Sequence, residues 1–295
     1  MGLDATRMGM RSVSPGRPGR LNHAMRLTKH HGLGNDFLVL LDDDASHRLD
    51  ADVARALCDR RTGVGADGLI RATPLDVADD AVAAMDLRNA DGSPAETSGN
   101  GIRCLAQALV LAGWADGPTI PIRTGAGRRV VTLHDRSDRL TYSLSVDMGL
   151  VRIAGEAPEW AGGPIRRTLR VDVGNPHLVF DVGRHDHEVD LIELGERVNA
   201  KEPGGANVHL LMPGGGDRIA IRTYERGVGP TPACGSGACA AAVAARAWGF
   251  VNDSAAVEQA GGTADVTVGG DGAVLLRGPA TMVATVELPE GWPWR

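Results

Sequence analysis

Two short stretches of this sequence carry residues able to move a proton. The first is Pro232-Ala233-Cys234-Gly235-Ser236-Gly237-Ala238-Cys239, a glycine-rich turn with one cysteine that runs into an alanine-rich segment. A helix start leaves unpaired N–H groups and a partial positive charge, which hold anions and favour a thiolate. Gly235 and Gly237 have no side chain to keep a ligand from those N–H groups. The combination suits a substrate carboxylate bound beside a nucleophilic or basic sulfur. A lone cysteine at a tight turn reads more simply as a buried small hydrophobe. A second stretch, 136 residues upstream, changes that reading. Ser98-Gly99-Asn100-Gly101-Ile102-Arg103-Cys104 also opens a helix, expected from Leu105 to Gly113. Gly99/Gly235, Gly101/Gly237, Ala106/Ala242, Ala108/Ala244 and Gly113/Gly249 superpose without a gap, and Ser98 falls opposite Cys234. Two matched helix starts, each preceded by a small nucleophilic side chain, point to one site between two halves.

The echo extends beyond the helices. Gly34-Asn35-Asp36-Phe37-Leu38-Val39 aligns with Gly174-Asn175-Pro176-His177-Leu178-Val179 at an offset of 140, and Gly65-Ala66-Asp67 with Gly205-Ala206-Asn207 at the same offset. Asn89 stands nine residues before Ser98, and Glu225 nine before Cys234. Three matched motifs in the same order indicate an internal duplication. The expected fold class is therefore α/β (α+β): two pseudo-symmetric mixed-sheet domains, each wrapped on a central helix, with the active site in the cleft between them. The expected division is a disordered extension or over-long start at 1–24, a first half at 25–121 completed by about 282–295, and a second half at 122–281.

The elements that must position the site are read from the pattern of apolar residues. Strands are expected at Arg26–Lys29, Phe37–Leu41, Leu69–Ala72, Ala81–Arg88, Thr119–Arg123, Arg128–Leu133, Leu140–Asp147, Leu169–Val173, Leu178–Asp181, Val208–Met212 and Arg218–Glu225, with a strand-like tail at Ala264–Glu287. Helices are expected at Ala51–Arg60 and Asp190–Ala200. Gly63-Val64-Gly65-Ala66-Asp67-Gly68 fits the dinucleotide pattern G-x-G-x-x-G. It follows a helix and leads into a strand, the reverse of the context that a dinucleotide needs.

Composition narrows the function class. A net charge of −6 and the absence of like-charge blocks give no electrostatic case for nucleic acid or an anionic membrane. The 295 residues are enough for two cores, and with three Phe and two Tyr those cores must be aliphatic and alanine-rich. The four cysteines, 58, 104, 234 and 239, lack metal-type spacing. With no export signal, a reduced cytoplasmic protein is expected.

Asn35, Asn89, Asn100, Asn175, Asn207, Glu225 and Arg226 converge on the expected cleft. Each asparagine alone reads as a turn residue; beside two helix starts they can hold a small zwitterion. Acid/base groups on opposite sides of one carbon can take a proton from one face and return it to the other. That is racemisation or epimerisation, and nothing in the sequence demands pyridoxal phosphate, a metal or a nucleotide. The α-proton of an amino acid is barely acidic, so such a site must exclude water and stabilise the carbanion electrostatically.

These motifs resemble the diaminopimelate epimerase family of cofactor-independent epimerases. The matching stretches are His31-Gly32-Leu33-Gly34-Asn35-Asp36-Phe37, Asn89-Ala90-Asp91-Gly92-Ser93, Gly99-Asn100-Gly101-Ile102-Arg103, Gly174-Asn175-Pro176-His177, Tyr224-Glu225-Arg226-Gly227 and Ala233 to Cys239. The resemblance implies epimerisation of LL-2,6-diaminopimelate to the meso form, on the route to lysine and peptidoglycan, by a cytoplasmic homodimer without cofactor or metal. Position by position, it makes Cys234 one acid/base residue, with His177 and Glu225 as its supporting polar residues. It makes Asn35, Asn89, Gly99, Asn100, Asn175, Asn207, Glu225, Arg226, Gly235 and Ser236 substrate-binding residues. Ser98 stands where the family has its other catalytic cysteine, Gly68 replaces a glutamine that contacts substrate, and Pro230 replaces a glutamate. A serine hydroxyl is a far weaker acid than a thiol. The departures keep open an epimerase of a different amino acid using a Ser/Cys pair, and a one-base or inactive amino-acid-binding homologue.

Overall fold

A computed structural model describes residues 25–289 and Trp292, apart from residues 48, 77, 96 and 97. The expectations for residues 1–24 lie outside the described residues. In the first half the elements run β1 (Arg26–Gly32), β2 (Asn35–Leu41), α1 (Ala51–Cys58), β3 (Gly68–Pro74), β4 (Ala83–Asn89), α2 (Gly99–Leu111), β5 (Thr119–Thr124), β6 (Gly127–Asp135) and β7 (Thr141–Leu150). The second half runs β8 (Arg152–Glu156), β9 (Arg167–Asp172), β10 (Pro176–Asp181), α3 (Leu191–Lys201), β11 (Asn207–Pro213), β12 (Arg218–Glu225), β13 (Gly229–Thr231), α4 (Gly235–Ala247), β14 (Ser254–Gln259), β15 (Gly262–Val268) and β16 (Ala273–Glu287).

The duplication expected from the sequence appears as repeated crossovers. β2 and β10 each lead through a short helix into a parallel neighbour, β3 and β11. β4 and β12 do the same through α2 and α4 into β5 and β14. α1 and α3 are amphipathic and start under aspartate caps, Asp50 and Asp190, whose carboxylates accept the first free N–H groups. They cover the outside of the sheet. Val53 and Leu57 pack with Leu38 and Leu69, while Leu194 and Val198 pack with Phe180 and Leu210.

α2 and α4 differ in kind. Every residue from Gly99 to Leu109 and from Gly235 to Ala245 is buried. A helix largely apolar on all sides has to lie inside; the buried Asn100, Arg103 and Gln107 of α2 are each hydrogen-bonded there, and the small side chains of α4 let strands approach it closely. Strands β1 to β7 with β16 close into a ring around α2, because β16 pairs with both β7 and β1. Strands β8 to β12, β14 and β15 continue from the other edge of β16 and wrap α4.

β6 and β7 hydrogen-bond within the ring around α2, and β16 pairs with strands of both halves. β7 runs into β8 with one intervening residue, Val151.

α2 begins at Gly99, six residues before the expected start, because Ser98 already acts as its cap. α1 ends at Cys58, two residues short of the expected Arg60. β8, β13 and β14 were not among the expected strands. Ser254-Ala255-Ala256-Val257-Glu258-Gln259 has almost no β-branched character, and pairing with β12 and β15 makes it a strand. β16 runs through Gly278-Pro279, and the guanidinium of Arg103 occupies the space a side chain at Gly278 would need, with Nη2 3.0 Å from that Cβ position. Among the described residues no helix is long and apolar enough to cross a membrane.

Candidate active site

The two helix starts meet. Ser98 Oγ accepts the Gly101 N–H at 2.9 Å, and Cys234 Sγ accepts the Gly237 N–H at 3.3 Å. Each nucleophilic side chain is therefore the cap of its own helix. A Cβ on Gly235 would lie 3.2 Å from Gly99 Cα and 3.3 Å from Asn100 N, so the helix starts abut through glycine. Leu276 of the shared β16 packs under both, with its Cδ2 2.5 Å and 3.1 Å from the Cβ positions of Gly99 and Gly235. The Cys234 backbone N–H is held by Gln259 Oε1 at 2.8 Å.

Above this junction a cleft opens, with about 550 Å³ of space counting the solvent at its mouth. Asn35, Asn89, Ser98, Gly99, Glu225, Cys234, Gly235 and Ser236 line it, together with Phe37, Asp67 and Val228. Asn100 lies buried beneath, donating to Asn35 Oδ1 at 3.2 Å and the Ala233 carbonyl at 3.4 Å, and so ties the two halves together. Asn175, His177 and Arg226 line a neighbouring opening of about 880 Å³ instead. Asn207 is buried beside it, accepting the Arg226 N–H at 2.9 Å and donating to the Pro176 carbonyl at 3.4 Å. Glu225 and Arg226 are consecutive and serve the two openings.

The titrating groups are set by burial. Burial pushes the Cys234 thiol well above its ordinary range, and the Glu225 carboxylate beside it pushes further in the same direction. Burial also raises Glu225, against the opposing effect of the Thr231 hydroxyl, which donates to its Oε1 at 2.6 Å. The resting site thus holds a thiol with a carboxylate able to take its proton. Cys58, Cys104 and Cys239 are pushed up to about 12, chiefly by burial, and are structural thiols.

His177 is held neutral, its pKa lowered well below the usual value by burial and then by His209 and Arg226. Burial lowers His209 to about 3. Two neutral rings allow one consistent set of protons. Thr223 Oγ1 donates to His209 Nδ1 at 3.0 Å, His209 Nε2 to His177 Nδ1 at 2.8 Å, and His177 Nε2 to Asn175 Oδ1 at 2.8 Å. Both His177 nitrogens are occupied, so in this arrangement the ring orients Asn175.

Four contributors were absent from the residues singled out by sequence. Asp67 accepts the Asn35 amide at 2.8 Å and lines the cleft. Arg103 is fully buried, donating to the Gly99 carbonyl at 3.0 Å and Asn100 Oδ1 at 2.6 Å. Burial lowers it to about 10, so it remains a cation under the helix junction at neutral pH. His209 sits against Gly237, and Gln259 holds Cys234. For Arg103 the signal was present: a charge four residues after Gly99 lies on the same face of an otherwise apolar helix. Gln259 and His209 carry no such local mark.

The family model described as diaminopimelate epimerase matches residues 27–154 and 169–283. A diaminopimelate epimerase from Mycobacterium ulcerans is 40% identical over 92% of this chain and 99% of its own. One from Thermobifida fusca is 40% identical over 88% of this chain and 96% of its own. Among solved structures, a protein from Pseudomonas aeruginosa described as a predicted epimerase superposes with a TM-score of 0.70 at 18% identity, covering 90% of this chain and 99% of that one.

Proposed function

The chain belongs to the diaminopimelate epimerase family, and we propose that it interconverts LL- and meso-2,6-diaminopimelate through a Ser98/Cys234 pair. The observation that carries the reading is the meeting of two helix starts through Gly99 and Gly235, each capped by its own proton-transfer group. The free N–H groups of both helices, with the Arg103 cation beneath, hold the α-carboxylate. Glu225 and backbone carbonyls take the ammonium, and Arg226 the distal carboxylate. Cys234 gives its proton to Glu225 and, as a thiolate, removes the α-proton from one face; the Ser98 hydroxyl delivers a proton to the other. The reverse direction exchanges the two roles. Asn35, Asn89, Asn100, Asn175, Asn207 and Ser236 orient the substrate, and His177 fixes Asn175. The same reading takes the enzyme to be cytoplasmic, a homodimer, and independent of pyridoxal phosphate.

The test is proton NMR of the protein with LL-diaminopimelate in D2O. Meso product carrying deuterium at the α-carbon is the expected result. Deuterium entering with retained configuration would mean that Cys234 acts alone. An absence of exchange by folded, reduced protein would remove diaminopimelate as substrate.

One observation favours a second reading, an epimerase with a different distal selectivity. At Gly68 a Cβ would meet the Arg88 carbonyl at 2.9 Å and Phe37 Cδ1 at 3.1 Å. The longer side chain implied there by the family resemblance does not fit without a shift, and one contact to the distal end is missing. A panel of amino acids in the same exchange assay separates the two readings. Pro230 pairs with Tyr224 on the edge strand β13, where proline is tolerated, and the structure assigns it no further role.

A further inference from the structure

Adjoining the reaction cleft, and sharing Leu87, Ala95 and Ser98 with it, is a small, mostly apolar pocket walled by Ile102, Val146 and Met148 among others. Ser98 lines both this cavity and the reaction cleft. One charged residue lines the cavity, Arg129 of β6. Its Nε is buried without a hydrogen-bond partner, and among the described residues its guanidinium has no ion-pair partner. It lies over Gly149, whose missing side chain leaves it room: Nη1 is 3.4 Å from that Cβ position. Arg129 is half-buried, and an Nε taken from water without a partner carries a cost that the cation can offset by serving a charge that arises in function.

Such a charge is required at Ser98. When Ser98 Oγ–H protonates the α-carbanion, the O–H bond breaks, a C–H bond forms, and Ser98 is left as an alkoxide until a proton returns. A thiol reaches its anion near neutral pH; a serine hydroxyl does not. The Gly101 N–H at 2.9 Å is the one hydrogen bond that Ser98 Oγ accepts among the described residues. Across the cleft the charged groups are Asp67 and Glu225, both of which oppose an anion. Arg103 in α2 is committed to the Gly99 carbonyl, Asn100 and the Pro279 carbonyl.

We propose that Arg129 is the positioning residue that makes a serine workable at position 98, its guanidinium, in the pocket that Ser98 also lines, offsetting the negative charge that develops on Oγ. The proposal rests on the Ser98/Cys234 reading and assigns a residue that the reading does not need if cysteine is present.

A double-mutant cycle tests it. In the natural background, Arg129→Met lowers kcat by about 10- to 100-fold with little change in KM, and Arg129→Lys recovers most of it. In the Ser98→Cys background, where the thiol needs no such help, Arg129→Met costs less than about threefold. Circular dichroism and thermal unfolding accompany each variant. Should Arg129→Met not fold, Arg129→Gln keeps a polar N–H donor at the Nε position and removes the charge. An equal loss in both backgrounds, or no loss in either, overturns the Arg129 proposal alone. An inactive natural protein, or an active Ser98→Ala, overturns the Ser98/Cys234 reading and this proposal with it.

Discussion

Ser98 Oγ and Cys234 Sγ hold equivalent places at two helix starts, yet their surroundings differ. Nine residues before Cys234 stands Glu225, a carboxylate that takes a proton; nine residues before Ser98 stands Asn89, which does not titrate. The proton inventory is therefore asymmetric, with the base on the cysteine side. Ser98→Ala is expected to lower epimerisation by at least about 100-fold, while Ser98→Cys retains or raises it, both read as meso product formed per unit time. Glu225 contributes twice. As an anion it raises the Cys234 thiol, and in the proposed mechanism it is the base that receives the thiol proton. Glu225→Gln removes the negative charge, so the Cys234 thiol then titrates at lower pH even as kcat falls. Thiolate absorbance followed against pH measures that shift, and a titration unmoved or displaced upward would contradict the assignment.

At the scale of elements, the glycines of α2 and α4 are packing devices as well as ligand-facing ones. Helix glycine is ordinarily about 1 kcal/mol worse than alanine, so replacing it should stabilise. At Gly237 the opposite is expected, because a Cβ there would lie 2.2 Å from His209 Cε1, inside a buried ring pair. Gly237→Ala is expected to lose about 2 kcal/mol or more in a denaturant titration, overpacking outweighing propensity. Gly125, with nothing within 4 Å of its Cβ position and an exposed turn around it, should accept alanine within about 0.5 kcal/mol. The contrast follows from tertiary neighbours, since both glycines are followed by alanine one residue later.

For the whole molecule, the buried histidine pair links stability to pH. His177 and His209 are neutral in the fold and held far below their ordinary pKa, while the unfolded chain binds their protons near pH 6.5. Below that value the unfolded state carries more protons, so stability is complete above about pH 6.5 and declines as pH falls. Between pH 6.5 and 5.0 each histidine removes roughly 2 kcal/mol at most. Unfolding midpoints measured across that range should fall steeply, and His209→Asn should flatten the decline. An equally steep fall in the variant would assign the effect to other groups. The closure of the first ring through β1 and β16 also makes the chain's two ends mutually dependent. Truncation within β16 is thus expected to disturb both halves.

The duplicated spacing, the two capped helix starts and most polar residues of the cleft were legible in the sequence because they are local. A glycine that admits a ligand, a cap that precedes a helix and a turn asparagine each leave a mark within a few residues. The α/β class followed from periodicity, and the family from motifs in order. Tertiary structure decided what depends on neighbours distant in sequence. It set β7 beside β16, partners more than a hundred residues apart in the chain. It sent Asn175, His177 and Arg226 to a second opening, because a strand aims successive side chains at opposite faces of the sheet. It also brought Arg129 from β6 into one pocket with Ser98, and Gln259 from β14 against Cys234. Hydrogen bonding and electrostatics act through space, and the chain order of those four residues gives no sign of the meetings.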